Sequence, residues 1–362
     1  METQDLVEAL LCEDAPENSL WVDIGGEQES TRLELRVQVA ALTRRYRIQG
    51  IGPGATVAVR MCPSYTLVWT LLALWKLGAQ VLLLHPDHDV RTVLNRWRPQ
   101  FFLRSGGFGP CITRFVQECE VVVYARPASV AARTDHCLVQ VVSDGTGPPR
   151  LVGRDAAGLL AELHRLRALP DAPRATERVL LAAPLVQSAW LVGGLLYALF
   201  CGATLVLPQD RSRSDREIVA DVLLSTPAGL QDVRERLARS PLRLAVIAGG
   251  AVPAHDAVRF RRHFGTALGR IHQTAEAGIV ACDLTGRYSS PAIGPALDGV
   301  RLRIRHRELH VLLHSSPDVE APVGPFPRWW RTEKSASITS NGVLVVWPTE
   351  RAVPAHLTRG LR

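Results

Sequence analysis

Between residues 56 and 103, short apolar runs alternate with helical patterns, and few folds accept that order. Thr56-Val57-Ala58-Val59 reads as a strand, and Tyr65 to Leu77 reads as a strongly apolar helix closed by Gly78. Val81 to Leu84 is the next buried strand and ends at His85-Pro86. A helix over Asp89 to Trp97 and a strand over Phe101 to Leu103 follow. Strands apolar on both faces and joined by helices predict a mainly parallel sheet covered by helices. Before them, Leu35, Val39, Leu42 and Tyr46 form one face of an amphipathic helix over Thr31 to Arg47, with arginines opposite. The segment Gly50-Ile51-Gly52-Pro53-Gly54 ends it.

The pattern then repeats. Ala156 to Leu169 reads as a helix, Val179 to Ala182 as a strand, and Trp190 to Phe200 as an almost wholly apolar helix stopped by Gly202. Thr204 to Leu207 is a strand, helices are expected near 215–225 and 229–238, and Leu242 to Ala248 is a buried strand ending in Gly249-Gly250. From about Gly299 the period changes to two: Val300, Leu302 and Ile304 alternate with arginines, and Leu309, Val311 and Leu313 alternate again. Short strands up to Val346 suggest a small antiparallel barrel or sheet. The fold class is therefore α/β, with two α/β subdomains built on mainly parallel sheets and a small antiparallel β-barrel-like subdomain. The expected divisions are 1–140, 141–298 and 299–347, with a tail over 348–362.

The stretch Val141 to Gly153, VVSDGTGPPRLVG, concentrates groups that suit a phosphate. A short strand runs into Ser143, Gly145, Thr146 and Gly147, whose backbone N–H groups can point at an anion. Pro148-Pro149 stiffen the exit, and Arg150 adds a cation. A polar strand-to-strand turn would use the same residues.

Charge and cysteine usage narrow the class. The net charge is +7, but only Lys76 and Lys334 are lysines among 42 basic residues, and the arginines are spread along the chain. With no aromatic-interleaved basic run, neither DNA nor RNA is an expected partner. No apolar stretch reaches the roughly 18 residues of a membrane span, and the acidic N-terminus lacks a secretion layout, so no membrane association and a cytoplasmic location are expected. Seven scattered cysteines without a C-x-x-C pair suit reduced, mostly buried thiols.

On these residues the chain resembles the adenylate-forming superfamily of acyl-CoA synthetases, luciferases and peptide-synthetase adenylation domains, over about residues 30–347. TRLEL (31–35) with GIGPGATVAVRM, and LLALWKLGAQVLLLHP (71–86), are similar to that family's opening elements. Ser143, Thr146, Gly147, Pro149 and Arg150 fall where its phosphate loop is expected, although Asp144 and Gly145 replace a glycine and a hydroxyl residue. The segment 180–208 resembles one wall of the acyl or aryl pocket, which implies a substrate-binding role for Gln187, Trp190 and Gly193. Gly249, Gly250 and Ala251 are similar to the stretch that runs along adenine.

His272, Gln273, Thr274 and Glu276 lie where the family has Tyr-Gly-x-Thr-Glu. The resemblance implies that His272 stacks on adenine, with Gln273 and Thr274 beside the nucleotide, and that Glu276 holds Mg²⁺; Ala275 lacks a hydroxyl. Arg150 and Glu276 are then the implied catalytic pair, with ATP and Mg²⁺ as possible cofactors. Lys334 stands where an aspartate would hold the ribose hydroxyls and supplies donors only. A carboxylate at Asp144 turned toward a triphosphate would cost on the order of 4 kcal/mol per charge pair at 4 Å. The family's C-terminal lid, with its adenylation lysine, is expected to be absent.

Two functional classes stay open. One is an enzyme acting on a carboxylic acid or acyl thioester in secondary metabolism, with adenylation impaired or dependent on a carrier protein or a C-terminal-domain partner in trans, or with the acyl pocket turned to another reaction. The other is a non-catalytic scaffold or binding homologue. His306, His310 and His314 are spaced as a helical metal stripe, but the strand pattern around them would place i and i+4 about 13 Å apart. Neither a Gly-x-Ser-x-Gly elbow nor a Gly-x-Gly-x-x-Gly turn is present.

Overall fold

The computed structural model describes residues 3–11, 16–24, 28–85, 88–105, 118–127, 129–142, 149–185, 188–208, 217–237, 242–320 and 324–347. The chain opens with α1 (Thr3–Leu11), β1 (Leu20–Ile24), β2 (Gln28–Thr31) and α2 (Arg32–Ile48). Next come β3 (Thr56–Arg60), α3 (Tyr65–Lys76), β4 (Gln80–Leu83), α4 (Val90–Trp97) and β5 (Phe101–Ser105). β6 (Val121–Ala125), β7 (His136–Val142), β8 (Arg150–Asp155), α5 (Ala156–Arg167) and β9 (Arg178–Ala182) follow. The next helical run is α6 (Ser188–Trp190), a π-helical stretch Leu191–Leu196 and α7 (Tyr197–Cys201). β10 (Thr204–Leu207), β11 (Val222–Ser225), α8 (Pro227–Val233), β12 (Leu244–Ile247) and α9 (Ala254–Phe264) complete the second α/β part. Beyond it are β13 (Leu268–Thr274), β14 (Gly278–Asp283), β15 (Ala292–Pro295), β16 (Leu302–Arg305), β17 (Glu308–Leu313), β18 (Arg328–Ile338) and β19 (Val343–Val346).

Three sheets result. Six strands run in the order β6-β5-β3-β4-β7-β8, parallel in the middle with antiparallel edges at β6 and β8. Eight run in the order β14-β13-β12-β11-β9-β10-β1-β2, again parallel except at the edges β14 and β2. The third is antiparallel, in the order β15-β19-β18-β17-β16. This is the α/β architecture that the alternating pattern predicts.

Period-two side chains explain the layers. In β9, Val179 and Leu181 join one large core with α1, α2, α3, α5 and α7, which also receives Val57 and Val81 from the other large sheet. Leu180 and Ala182 face the opposite way and pack with Leu230 of α8 and Phe260 of α9. On the far face of the six-stranded sheet, Ala58, Leu82 and Val139 meet Leu94 and Trp97 of α4. Both faces of each central strand are buried, so these strands read as continuous apolar runs.

Local chemistry sets several boundaries. Thr31 caps α2 by accepting from the Glu34 N–H, while the Glu34 carboxylate accepts from the Thr31 N–H, a complete capping box. Arg32 is fully buried and donates to the carbonyls of Leu199 and Ala203. The helix expected near 215–225 is corrected over 217–225: Val222 to Ser225 is a central strand, fully buried, and only 227–233 is helical. A short apolar run buried on both sides carries no period that separates strand from helix.

The sheets also cut across the divisions expected from chain order. β1 and β2 belong to the eight-stranded sheet, β7 runs through the 140/141 boundary, and the small sheet takes its first strand from Ala292–Pro295. No helix among the described residues is long and apolar enough to cross a membrane.

A buried ion pair fixes where the sheets meet. Arg154 of β8 donates to Glu162 of α5 at 2.7 Å, with both side chains almost wholly buried, and the other Glu162 oxygen accepts from the Ile279 N–H of β14 at 2.8 Å. Glu162→Ala should lower the unfolding free energy by roughly 3–5 kcal/mol, because it strands a buried guanidinium and a backbone donor. Urea denaturation would measure it, and a loss under about 1 kcal/mol would refute the assigned role.

Candidate functional site

β7 and β8 form an antiparallel pair in which Val142 lies opposite Arg150, so the phosphate-type stretch joins their ends. Ser143, Thr146 and Gly147, and likewise Gln187, lie outside the described residues. Arg150 at the start of β8 donates to Glu276, which sits in the turn between β13 and β14. The Glu276 side chain is 3 % exposed and that of Arg150 is 43 % exposed. A guanidinium has five donors, so one bond to Glu276 leaves others for an anion.

The turn itself is shaped by small and polar residues. Thr274 Oγ1 accepts from the Ala277 N–H at 3.1 Å. Gly278 follows with φ +74°, and a Cβ there would lie 2.0 Å from Glu162 Oε2, so a side chain is excluded on both counts. Arg154 lies four residues beyond Arg150 on the same strand. Its pairing with Glu162, and that of Glu162 with Ile279, hold β8 against this turn at a second point.

His272 and Gln273 lie on β13 at a register shift. His272 faces Ala281 while Gln273 faces Ile279, so Val280 is an extra residue on β14. The bulge lets the consecutive Val280 and Ala281 enter the core of the small sheet, whereas Ile279 and Cys282 enter the main core. On the opposite strand His272 Nε2 and Gln273 Oε1 are buried with no hydrogen-bond partner. Such orphans are rare, and here they mark a place where a ligand can supply the missing bonds.

Burial pushes the His272 imidazole down to about 4, and the positive charge of Lys334 adds to the effect. Lys334 is brought close by a distortion of β18: Glu308 pairs with Ser335 but His310 with Arg331, and Glu333 between them has φ 58°. The sequence marks Lys334 only as a displaced side chain; its approach to His272 needs the tertiary fold.

Gly249, Gly250 and Ala251 leave the carboxyl end of β12, the strand paired in parallel with β13, and all three are exposed. Gly249 (φ +82°) and Gly250 (φ +159°) take backbone conformations that side chains disfavour. Arg150, Glu276, His272, Gln273, Thr274 and the glycine exit thus gather along the carboxyl ends of two neighbouring strands and the turn beyond them. Trp190 and Gly193 lie on the helical run that packs against β14. Trp190 is 1 % exposed within the main core, and Gly193 packs so tightly on β14 that a Cβ would lie 2.7 Å from Ile279 Cδ1.

A cavity of about 160 Å³ opens at the carboxyl ends of β9 and β10, lined by Pro63, Leu185, Leu207, Thr226, Gly229 and Asp232 among others. Gly229 allows α8 to approach this end of β9, since a Cβ there would lie 1.8 Å from the Ala182 carbonyl oxygen. None of the α8 residues is marked by sequence pattern. Their contribution follows from the helix crossing the strand ends.

Comparison with known proteins bears on this arrangement. The AMP-binding enzyme family model matches residues 12–315. A curated relative, "Probable non-canonical nonribosomal peptide synthetase (NRPS) CymA" of Salinispora arenicola (strain CNS-205), is 27 % identical over 311 residues. The match covers 78 % of this chain and 4 % of the length of that relative. Among solved structures, apo MatB from Rhodopseudomonas palustris is similar at TM-score 0.74 and 15 % identity, covering 96 % of this chain and 78 % of that one. Wild-type E. coli MenE, with a bound analogue of OSB-AMS, gives TM-score 0.68 at 17 % identity, covering 91 % and 74 %. These structural likenesses show a shared fold, and the family model shows that the chain belongs to the AMP-binding enzyme family.

Proposed function

We propose that the chain is an adenylate-forming-type domain that binds a nucleotide across the carboxyl ends of β12 and β13 and takes a carboxylic acid or acyl thioester into the adjoining apolar cavity. The observation that carries this reading is the pair of unpartnered buried atoms, His272 Nε2 and Gln273 Oε1, on the strand that leads to the Arg150–Glu276 pair. A purine offers the donors and acceptors those atoms lack, and an arginine beside them suits phosphate oxygens. The similar MatB of R. palustris has been solved with ATP bound, which supports the same ligand class here.

The residues have separable roles. Gly249 leaves open space beside the base, since a Cβ there would meet nothing within 4 Å, while Gly250 packs against Pro227. Arg150 neutralises phosphate charge while remaining anchored to Glu276. Among the described residues no group of three or more His, Cys, Asp and Glu side chains could hold a metal ion. Glu276 alone fits Mg²⁺, which is commonly held by one or two carboxylates together with the phosphates of its ligand. ATP, when bound, supplies the electrophilic α-phosphorus and the pyrophosphate leaving group. Lys334 adds donors near His272 and no acceptor for ribose hydroxyls, which supports slow or partner-dependent adenylation. The synthetase relative supports a carrier-protein partner and a place in secondary metabolism.

A second reading, ligand binding without nucleotide, is favoured by the Arg150–Glu276 bond itself, which engages the anchoring carboxylate before any metal arrives. Calorimetric titration separates the two. On the adenylating reading, ATP binds only with Mg²⁺, Glu276→Ala weakens that binding about tenfold or more, and pyrophosphate release is measurable but slow. Absence of ATP affinity, with acid binding intact, would leave the second reading standing.

The neutral state of His272 gives a further prediction. The unfolded chain binds a proton at this residue near pH 6.5 and the folded chain only near pH 4, so stability is lost as pH falls through that window. The loss amounts to about 3 kcal/mol at its limit. Urea midpoints measured from pH 7 to 4 should fall less steeply in His272→Asn. An unchanged slope would show that His272 is not the group responsible.

A further inference from the structure

The hairpin of β16 and β17 carries charge that nucleotide binding does not use. Its Leu302, Ile304, Leu309 and Val311 turn toward the core of the small sheet, as does Trp330 of β18. Alternation therefore sends Arg303, Arg305, Glu308 and His310, with Arg331 of β18, to the outer face. Strand register lines these groups up: Arg303 lies opposite His310, and His310 opposite Arg331. Arg305 lies opposite Glu308, whose carboxylate accepts from Arg331 at 2.5 Å. The Arg303 guanidinium lies over the Trp329 ring, 4.2 Å from its centre.

Two features of this hairpin cost stability. The first is repulsion, because like charges directly opposite on one face of a sheet are unfavourable, and here two arginines flank a histidine. Partial burial pushes the His310 imidazole down, and Arg303 adds to that effect. The second is the turn. Arg305 pairs with Glu308, so His306 and Arg307 alone make the reversal, with φ 52° and 64°. Asparagine and glycine occupy that left-handed region with less strain than these side chains do. Both residues are exposed, so packing does not hold them there. Strain and repulsion kept together at an exposed tip point to recognition rather than to folding.

We propose that the outer face of β16, β17 and β18, with the His306-Arg307 turn, is a docking surface for an acidic helix of a partner protein. The Arg331–Glu308 bond shows how this face takes a carboxylate. Carboxylates one helical turn apart, about 5–6 Å, suit the roughly 7 Å between alternate strand residues such as Arg303 and Arg305. Their charge relieves the repulsion along Arg303, His310 and Arg331. Single-stranded nucleic acid fits less well, because its bases need open aromatic faces and Arg303 covers Trp329. A second copy of this hairpin would set arginine against arginine. The surface is independent of the nucleotide site, so neither reading depends on the other.

The test is fluorescence anisotropy of the full chain with a labelled helical peptide of about 20 residues, rich in glutamate and alanine, at low salt. Arg303→Gln with Arg331→Gln should weaken binding about tenfold or more. Arg44→Gln with Arg47→Gln, at exposed positions on α2, removes the same charge and should change binding less than about threefold. His306→Asn with Arg307→Gly should raise the thermal midpoint by a few degrees, by relieving the turn, and still weaken binding several-fold. No measurable binding, equal losses in the two arginine pairs, or unchanged binding in the turn variant would each overturn the proposal. So would tighter binding of single-stranded DNA of the same length, or of phosphatidylserine vesicles. The turn variant is expected to be the more stable protein, so the outcome does not rest on a chain that fails to fold.

Discussion

The Glu162 carboxylate is enclosed between β8, α5 and β14, and the placement of the candidate site depends on what it holds. One oxygen takes the Arg154 guanidinium and the other takes the Ile279 N–H, so a single side chain joins the edge of the six-stranded sheet to the edge of the eight-stranded one. A buried ion pair recovers little net stability, because desolvation offsets most of the attraction. Its physical effect here is positional. With β8 fixed against the turn after β13, Arg150 and Glu276 meet without further adjustment.

β14 is shared between two cores, and the bulge at Val280 is what permits it. A regular strand presents successive side chains to opposite faces, yet Val280 and Ala281 both enter the small-sheet core, flanked by Ile279 and Cys282 in the main one. The same irregularity leaves His272 and Gln273, on the facing strand, with polar atoms that the sheet does not satisfy. The sharing of β14 between two cores and the unpartnered polar atoms on β13 therefore coincide at one irregularity. A second irregularity, at Glu333 in β18, brings a cation toward the same imidazole.

Charge is distributed to match these constraints. Glu276 is buried and would be costly to leave alone, while Arg150 is exposed enough to satisfy it and still reach solvent. His272 stays neutral because burial opposes the protonated form and Lys334 repels it. At the other end of the layered core the same balance runs the opposite way. The neighbouring Cys119 thiol favours the charged form of Cys62, whereas burial pushes the thiols of Cys137, Cys201 and Cys282 up.

The sequence by itself determined the architecture of alternating strands and helices, because burial on both faces writes itself as apolar runs such as Val81 to Leu84 and Val179 to Ala182. It also marked Arg150, His272 and Glu276, since their residue types match a recurring chemical need at the expected order along the chain. It did not separate β11 from a helix, and nothing in it marked Arg32 as buried. Only the tertiary structure decided which sheet β1 and β2 join, that Glu162 links the two large sheets, and that Lys334 approaches His272. Those are relations between positions scores of residues apart, fixed by strand register and bulges. Local periodicity records which face of an element is buried and carries no information about what lies against it.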